Sequence, residues 1–356
     1  MRRCRAARPA LGAYARDHGL GPAPRLRHQR AQRQRTGNLA PHRQAPGQLR
    51  LLQAGRAQRQ CEEILPRQAP LDDRPLSASA RGIAPPQRSS GRIDLAVKPR
   101  NGVTVLDRLH QSGPLRLRLI SAELDTATTA ILLNTGGGIA GGDVNQIDIT
   151  AAPGTALTLS SQGAERIYRA GIGDLPSRIT TRIAIGAAAT LEYLPQETIL
   201  FDNAALNRSL RIDLAGSARY LGIESLIFGR AAMGEAVAAL DLTDTVELHR
   251  DDELVFRDSL KPPRDFAAAQ THRAMFGGAS AIATILLAAP DAAAHLDAVR
   301  EALGVNDVAI TAGASAWNGL LLVRLLAHNG AALRVASLRV LSVLRQDRPM
   351  PRVWGC

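Results

Sequence analysis

Acidic side chains, several of them next to glycine or arginine, recur along this sequence. They are Asp143, Glu165 with Arg166, Glu197, Asp202, Glu224, Glu235 and Asp258. Solvated strand faces and structural ion pairs also explain such acids when each is taken alone. The three cysteines lie far apart in the chain, without a C-x-x-C motif or a nearby histidine pair. The sequence therefore predicts no zinc site.

Nucleophilic catalysis finds no support in the motifs. Residues 160–163, SSQG, do not form a G-x-S-x-G elbow, and no histidine has a spacing that identifies a general base. We therefore expect no catalytic residues and no enzymatic activity.

A glycine-rich string, NTGGGIAGGD, is the most conspicuous motif. Gly136, Gly138 and Gly141 match G-x-G-x-x-G after an apolar run. A dinucleotide site requires the last glycine to open a helix, but the alternating pattern of residues 145–150 predicts a strand. A Gly-loop cofactor enzyme thus stays the weaker alternative, and no permanently bound cofactor is expected. The glycines, Gly141 and Gly142 included, indicate a backbone geometry closed to side chains.

The positive charge of the chain is concentrated at one end. The formal net charge is +12, and residues 1–90 hold 18 arginines, no lysine and five acids, a net charge of +13. The body, residues 91–356, is therefore nearly neutral at −1. Residues 1–90 also lack Val, Phe and Trp, so we expect a disordered Arg/Pro-rich extension that is dispensable.

Three interpretations of this extension stay open: a mis-assigned translation start, a genuine disordered tail, and a targeting or nucleic-acid-binding segment. The first is favoured because lysine is absent and Tyr14 is the only aromatic residue available for stacking. A nucleic-acid-binding protein is thus an alternative function, but no nucleic-acid partner is expected. The sequence shows neither a secretory signal nor an apolar run of about 18 residues, so we predict a cytoplasmic protein without a membrane contact.

A period of two dominates the body and predicts a mainly β fold. Residues 209–214, SLRIDL, alternate as in a half-buried antiparallel strand, and residues 240–248 with 254–256 predict a hairpin. Residues 145–150, 156–159 and 179–185 add strands, with a turn at Pro153 and Gly154. We expect stacked, largely antiparallel sheets. No fixed repeat of 20 to 50 residues is found.

Two amphipathic helices are predicted near the C-terminus. Residues 292–303 carry Leu296, Val299 and Leu303 on one face and stop at Gly304. A second helix is marked by apolar residues between Leu333 and Leu344.

Several strings of the body, in this order, resemble a known family. They are GGGIAGGD, GAERIYRA, LEYLPQETILFDNA, ARYLGIESLIFGRAAMGE, AGASAWNGLLLVRLLA and RPMPRVWGC. From about Gly91 to Cys356 the chain resembles the family of urease accessory protein D, also called UreH. One departure is local: many relatives have His-Pro-Pro where this chain has Asn134, Thr135 and Gly136.

The resemblance implies a mostly β, non-enzymatic scaffold that joins UreF-type and UreG-type proteins to apo-urease and passes nickel to its active site. By their positions in the matched strings, Asp143, Glu224 and Asp258 are candidate carboxylates for a transient Ni²⁺ path, with Glu165 and Arg166 next to it. Scattered carboxylates fit a conduit, because they bind Ni²⁺ less tightly than arrays of imidazole or thiolate and can release it.

Overall fold

A computed structural model of the chain describes residues 87–120, 127–304 and 309–355. The predicted disordered extension comprises residues 1–90. Residues 1–86 of it lie outside the described residues. Ordered structure is present just before the predicted start of the body, because the first strand begins at Ser90.

Strands and helices within the described ranges have the following bounds. The strands are β1 Ser90–Arg100, β2 Val103–Ser112, β3 Leu115–Ile120, β4 Thr128–Asn134, β5 Val144–Ala151, β6 Ala156–Ser161, β7 Glu165–Ile167, β8 Ser177–Ile185, β9 Thr190–Leu194, β10 Thr198–Leu200, β11 Ala205–Leu214, β12 Arg219–Phe228, β13 Asp241–Arg250, β14 Glu253–Leu260, β15 Ala281–Ala288, β16 Ile310–Trp317 and β17 Leu320–Ala327. The helices are α1 Phe266–Thr271, α2 Leu296–Leu303 and α3 Gly330–Leu344.

The strands form two sheets whose inner faces share one apolar core. The first sheet has the order β14-β13-β11-β8-β5-β1-β2, and the second has β16-β17-β15-β12-β9-β6-β4-β3, with β10 between β12 and β7. Alternate residues such as Ile149, Ile183 and Ile212 of the first sheet meet Leu159 and Leu191 of the second. Successive side chains of a strand point to opposite faces of its sheet. Because one face of each sheet is buried in this core, apolar residues recur at every second position of the sequence. The predicted mainly β, stacked-sheet fold is confirmed.

The direction of the strands corrects one part of that prediction. Nine of the strand pairings in the described residues are parallel and six are antiparallel, so the sheets are not largely antiparallel. Strand β11, predicted to be antiparallel, runs parallel to both β8 and β13. The chain alternates between the two sheets, so consecutive strands of one sheet run in the same direction. Alternation of apolar and polar residues indicates which face of a strand is buried. It does not indicate whether the neighbouring strand runs parallel or antiparallel.

Three similar turns carry the chain from the first sheet to the second. In each turn a backbone N–H donates to the carbonyl three residues earlier: Thr155 to Ala152, Ala189 to Gly186, and Ala218 to Ala215. The turns also stack on one another, because Thr190 N–H donates to the Thr155 carbonyl and Arg219 N–H to that of Ala189. The stacking brings β5, β8 and β11 into one sheet and β6, β9 and β12 into the other.

Helices α2 and α3 cover the outer face of the second sheet around β15 and β17. Their buried side chains, including Val299, Leu333 and Val340, form a separate apolar core with Ile285 and Val323. Both predicted helices are confirmed, and the short helix α1 was not predicted. Asn329 caps α3 by accepting from the N–H of Ala332 at 2.8 Å. Among the described residues, no helix has the length and apolarity needed to span a membrane.

Candidate functional site

A cavity of about 340 Å³ lies between the facing surfaces of the two sheets. Strands β5, β8 and β11 form one wall, and β4, β6, β9 and β12 form the other. Apolar and polar side chains share the wall about equally, and the polar ones include Asn134, Asn145, Glu165, Tyr193, Arg208 and Glu224. A cavity in which polar groups converge between apolar side chains is a common form of binding site.

Glu165 lies at the end of this cavity near the glycine loop, which we define as residues 136–143. Its carboxylate accepts from Asn134 Nδ2 at 3.1 and 3.0 Å and from the backbone N–H of Arg166 at 3.1 Å. Burial nevertheless raises the pKa of Glu165, because desolvation of the carboxylate outweighs these hydrogen bonds. The side chain of Arg166 is exposed and reaches toward the carbonyl of Gly137. Both residues line the cavity, with Glu165 half-buried and Arg166 exposed to solvent.

Arg208 and Glu224 lie at the inner end of the cavity, together with Asp244. The Arg208 guanidinium binds both carboxylate oxygens of Asp244, at 2.9 Å from Nε and 2.6 Å from Nη2, and contacts Glu224 through Nη1 at 2.7 Å. All three side chains are at most 14% exposed. One guanidinium thus serves two buried carboxylates.

Burial raises the pKa of Glu224 to about 7, since desolvation outweighs the attraction to Arg208 and the Asp244 charge adds to the rise. The two carboxylates conversely raise the pKa of Arg208, which stays charged. Burial, assisted by the Glu224 charge, raises the pKa of the Tyr193 hydroxyl, which is therefore neutral in the cavity wall.

A smaller cavity of about 50 Å³ continues beyond Arg208 and Glu224. Asp258 and Arg324 line it and form an ion pair at 2.8 Å between opposite sheets. The structure therefore brings two of the predicted carboxylates, Glu224 and Asp258, to the same cavity. In the described part of the chain, no group of three or more His, Cys, Asp or Glu side chains converges closely enough to hold a metal ion.

Asp143 lines neither of these cavities. Its Oδ1 accepts from the backbone N–H of Ser89 at 2.7 Å, and its Oδ2 accepts from that of Ala140 at 2.8 Å. The bond from Ser89 joins the glycine loop to the residue before β1, and the bond from Ala140 lies within the loop. These contacts hold the loop in place. The structure does not bring Asp143 to the cavities that contain Glu224 and Asp258.

The glycine loop is closed to side chains at Gly138, Gly141 and Gly142, whereas a Cβ on Gly137 would meet open space. Gly142 has a φ of +81°, and a Cβ there would lie 3.1 Å from Arg88 Nε. A Cβ on Gly141 would lie 3.0 Å from that of Asp174. Strand β5, and not a helix, follows the loop, as predicted. The arrangement lacks the helix N-terminus that a dinucleotide pyrophosphate requires.

Several other acids of the sequence are partners in structural contacts. Glu197 pairs with Arg334, Glu235 with Arg230, and Asp202 accepts from the backbone N–H groups of Ala238 and Ala239. For these residues the structure favours the ion-pair and capping interpretation.

Sequence reasoning missed Arg208, Asp244 and Arg324. A signal was available for Arg208, because it is in phase with Leu206, Leu210 and Ile212 and so belongs to the buried face of β11. A charged residue in a buried position requires a partner, which Asp244 supplies from the register position opposite it on β13.

The fold and the site together define a β-rich protein with a cavity between its two sheets that contains the carboxylates of Glu165 and Glu224. Residues 89–355 match the family model described as UreD urease accessory protein. The chain belongs to the UreD urease accessory protein family, which confirms the resemblance found in the sequence.

Individual relatives agree with this assignment. The chain is similar to the urease accessory protein UreD of Rhizobium johnstonii, at 40% identity over 280 residues that cover 79% of this chain and 100% of the relative. It is also similar to the UreD protein of Xanthobacter autotrophicus, at 42% identity over 281 residues that cover 79% and 95%. Membership in this family supports a role in urease maturation and fits an accessory protein that is not a catalyst.

Proposed function

We propose that the chain is a non-enzymatic scaffold that joins UreF-type and UreG-type proteins to apo-urease and conducts Ni²⁺ between its two sheets. The observation that carries the proposal is the cavity between the sheets, which is lined by the carboxylates of Glu165 and Glu224. The smaller cavity with Asp258 extends this line of carboxylates. The assembly is proposed to work in the cytoplasm, with nickel as its cargo and no permanently bound cofactor.

The chemistry of the cavity suits transient binding. Carboxylate oxygens are weaker ligands for Ni²⁺ than thiolate or imidazole arrays, so a line of single carboxylates can accept and release the ion. Asn145 adds an oxygen ligand to the wall, because its buried Oδ1 has no hydrogen-bond partner among the described residues. An unsatisfied oxygen in a cavity is open to water or to a hydrated cation.

The surface near the glycine loop supports the scaffold part of the proposal. Ile172, Leu175 and Met233 are strongly exposed, and Tyr168 packs edge-on against the Phe201 ring at 5.2 Å. Exposed apolar and aromatic side chains in one region are typical of protein interfaces. We infer that this region contacts a partner of the maturation complex.

Amide substitutions in the cavity test the nickel path. Glu224→Gln, Asp258→Asn and the double variant remove charge at nearly constant volume, so Coulomb attraction for Ni²⁺ falls while packing is kept. We expect soluble proteins that still bind the UreF-type protein. The nickel content of urease matured with the double variant should fall by at least about twofold.

Asp213→Asn is the matched control, because Asp213 lies on the outer face of β11 and pairs with Arg211 in solvent. It should leave nickel content unchanged. Full nickel loading with the double variant, with complex formation intact, would contradict the proposed path.

A further inference from the structure

Arg208 and Glu224 are the two side chains that line both cavities. The contact between Arg208 Nη1 and the Glu224 carboxylate, at 2.7 Å, lies where one cavity meets the other. Arg208 belongs to β11 of the first sheet and Glu224 to β12 of the second. Their ion pair therefore crosses the gap between the sheets at the junction of the cavities.

The two carboxylates hold Arg208 unequally. Asp244 lies in the same sheet at the register position opposite Arg208 and binds it through two parallel hydrogen bonds. Thr198 Oγ1 accepts from Nη1 at 3.2 Å. Glu224 supplies a single contact from the opposite sheet. Since a bidentate guanidinium–carboxylate pair is the stronger one, Glu224 is the partner that Arg208 can give up.

A guanidinium at this junction opposes the passage of a cation. Its charge repels Ni²⁺ from both cavities, and its Nη1 occupies the carboxylate that would bind the ion. Solvent screens the repulsion poorly, because the side chains of Arg208 and Glu224 are only 10% and 14% exposed. A line of carboxylates interrupted by a buried arginine is closed until that arginine loses its contact.

We propose that the Arg208–Glu224 ion pair is the closed barrier of the nickel passage, and that Ni²⁺ opens it by taking the Glu224 carboxylate while Arg208 stays on Asp244. This inference rests on the proposed function. It also explains release, because the charge of Arg208 remains next to the ion and weakens its hold on Glu224. Arg208 is thus a positioning residue that sets both entry and residence time.

Arg208→Met tests the barrier in the full chain, because methionine keeps an unbranched side chain and removes the charge. Without Arg208, neither Glu224 nor Asp244 has a guanidinium partner, and the pKa of Glu224 rises because Arg208 lowers it in the wild type. The titration is therefore run at about pH 8, where nickel displaces the remaining proton from Glu224. Titration calorimetry with NiCl₂ alone should then give a dissociation constant at least about tenfold lower than that of the wild type. Transfer of nickel to apo-urease should be slower, because the ion is held longer.

Arg211→Met is the matched control, since Arg211 lies on the same strand with its side chain on the exposed outer face. It should leave nickel affinity unchanged. Arg208→Met with Glu224→Gln should lose most of the gain in affinity, which identifies Glu224 as the ligand.

Arg208→Met combined with Asp244→Asn covers the case in which the single variant does not fold. This pair leaves the group with the same net charge as the wild type, while Glu224 is still freed. We expect tighter nickel binding than in the wild type here too. If the folded double variant binds nickel with the affinity of the wild type and transfers it at the same rate, the proposed barrier is wrong.

Failure of the proposed barrier and failure of the proposed nickel path give different experimental results. The nickel path itself fails if Glu224→Gln with Asp258→Asn leaves urease fully loaded. The barrier fails if those substitutions lower loading while every folded Arg208 variant binds nickel as the wild type does.

Discussion

The glycine loop and the interior between the sheets both contain a carboxylate that the family strings nominate, but the two carboxylates are held differently. Asp143 accepts from two backbone N–H groups and joins the loop to the start of β1. Glu224 has one side-chain partner, Arg208, which a second carboxylate holds more firmly. The comparison teaches that two acids from similar motifs can have different kinds of partner, fixed backbone donors for Asp143 and an exchangeable guanidinium for Glu224.

Backbone donors cannot leave a carboxylate without loss of local structure, whereas a guanidinium can exchange it. The glycine loop is therefore expected to respond to substitution by losing stability. The interior is expected to respond by changing its nickel binding and its dependence on pH.

Gly138→Ala gives the largest expected effect on stability. Gly138 has a φ of +150°, and a Cβ there would overlap the Tyr168 ring and lie 2.9 Å from the carbonyl oxygen of Arg166. Strained backbone and overpacking together should lower the free energy of unfolding by about 3 to 5 kcal/mol. Urea denaturation of the purified chain measures the change.

Gly137→Ala is the control from the same loop, because its φ of +77° is left-handed but its Cβ would meet open space. A loss of about 1 to 2 kcal/mol is expected there. Equal losses at the two positions would show that close approach does not explain the glycine string.

The next largest effect is a dependence of stability on pH, which arises from Glu224. Its pKa is raised from an ordinary value near 4.5 to about 7 in the folded chain, so the folded state holds the proton more tightly than the unfolded state between these values. Stability from this group is present below about pH 4.5 and is lost as the pH rises toward 7, by on the order of 2 to 3 kcal/mol.

Glu224→Gln removes this dependence, because glutamine does not titrate. The free energy of unfolding of the variant, relative to the wild type, should increase between pH 4.5 and 7.5 in urea titrations. The charged groups that set the pKa of Glu224 are Arg208, which lowers it, and Asp244, which raises it. A constant difference across that range would mean that Arg208 compensates the burial of Glu224 fully.

Much of the fold could be predicted from the sequence, because burial of one sheet face imposes a period of two. Strand direction could not, since the alternation is the same for parallel and antiparallel neighbours. A signal for the parallel stacking was nevertheless present in three short turns rich in small residues, at 152–155, 186–189 and 215–218. Their spacing varies, so a search for a fixed repeat misses them.

The site was predictable only in part. Glu224 lies in a family string and Asp258 was a further candidate acid, and the structure shows that both line the smaller cavity. Arg208 was visible as a charge on the buried face of β11. Asp244 and Arg324 required the register of β13 and the pairing across the sheets, which no local pattern of the sequence reports.

Asp143→Asn tests the comparison most directly, although its expected effect on stability is the smallest. An amide nitrogen replaces one of the two accepting oxygens, so it faces the N–H of Ser89 or Ala140 as a second donor. Loss of that hydrogen bond to a charged group should lower the free energy of unfolding by about 1 to 2 kcal/mol. Nickel content of urease matured with the surviving folded protein should equal that of the wild type. Glu224→Gln should give the reverse result, with stability kept at neutral pH and nickel content reduced. If Asp143→Asn instead lowers nickel content at unchanged stability, the glycine loop belongs to the nickel path, and its backbone contacts do not restrict Asp143 to a structural role.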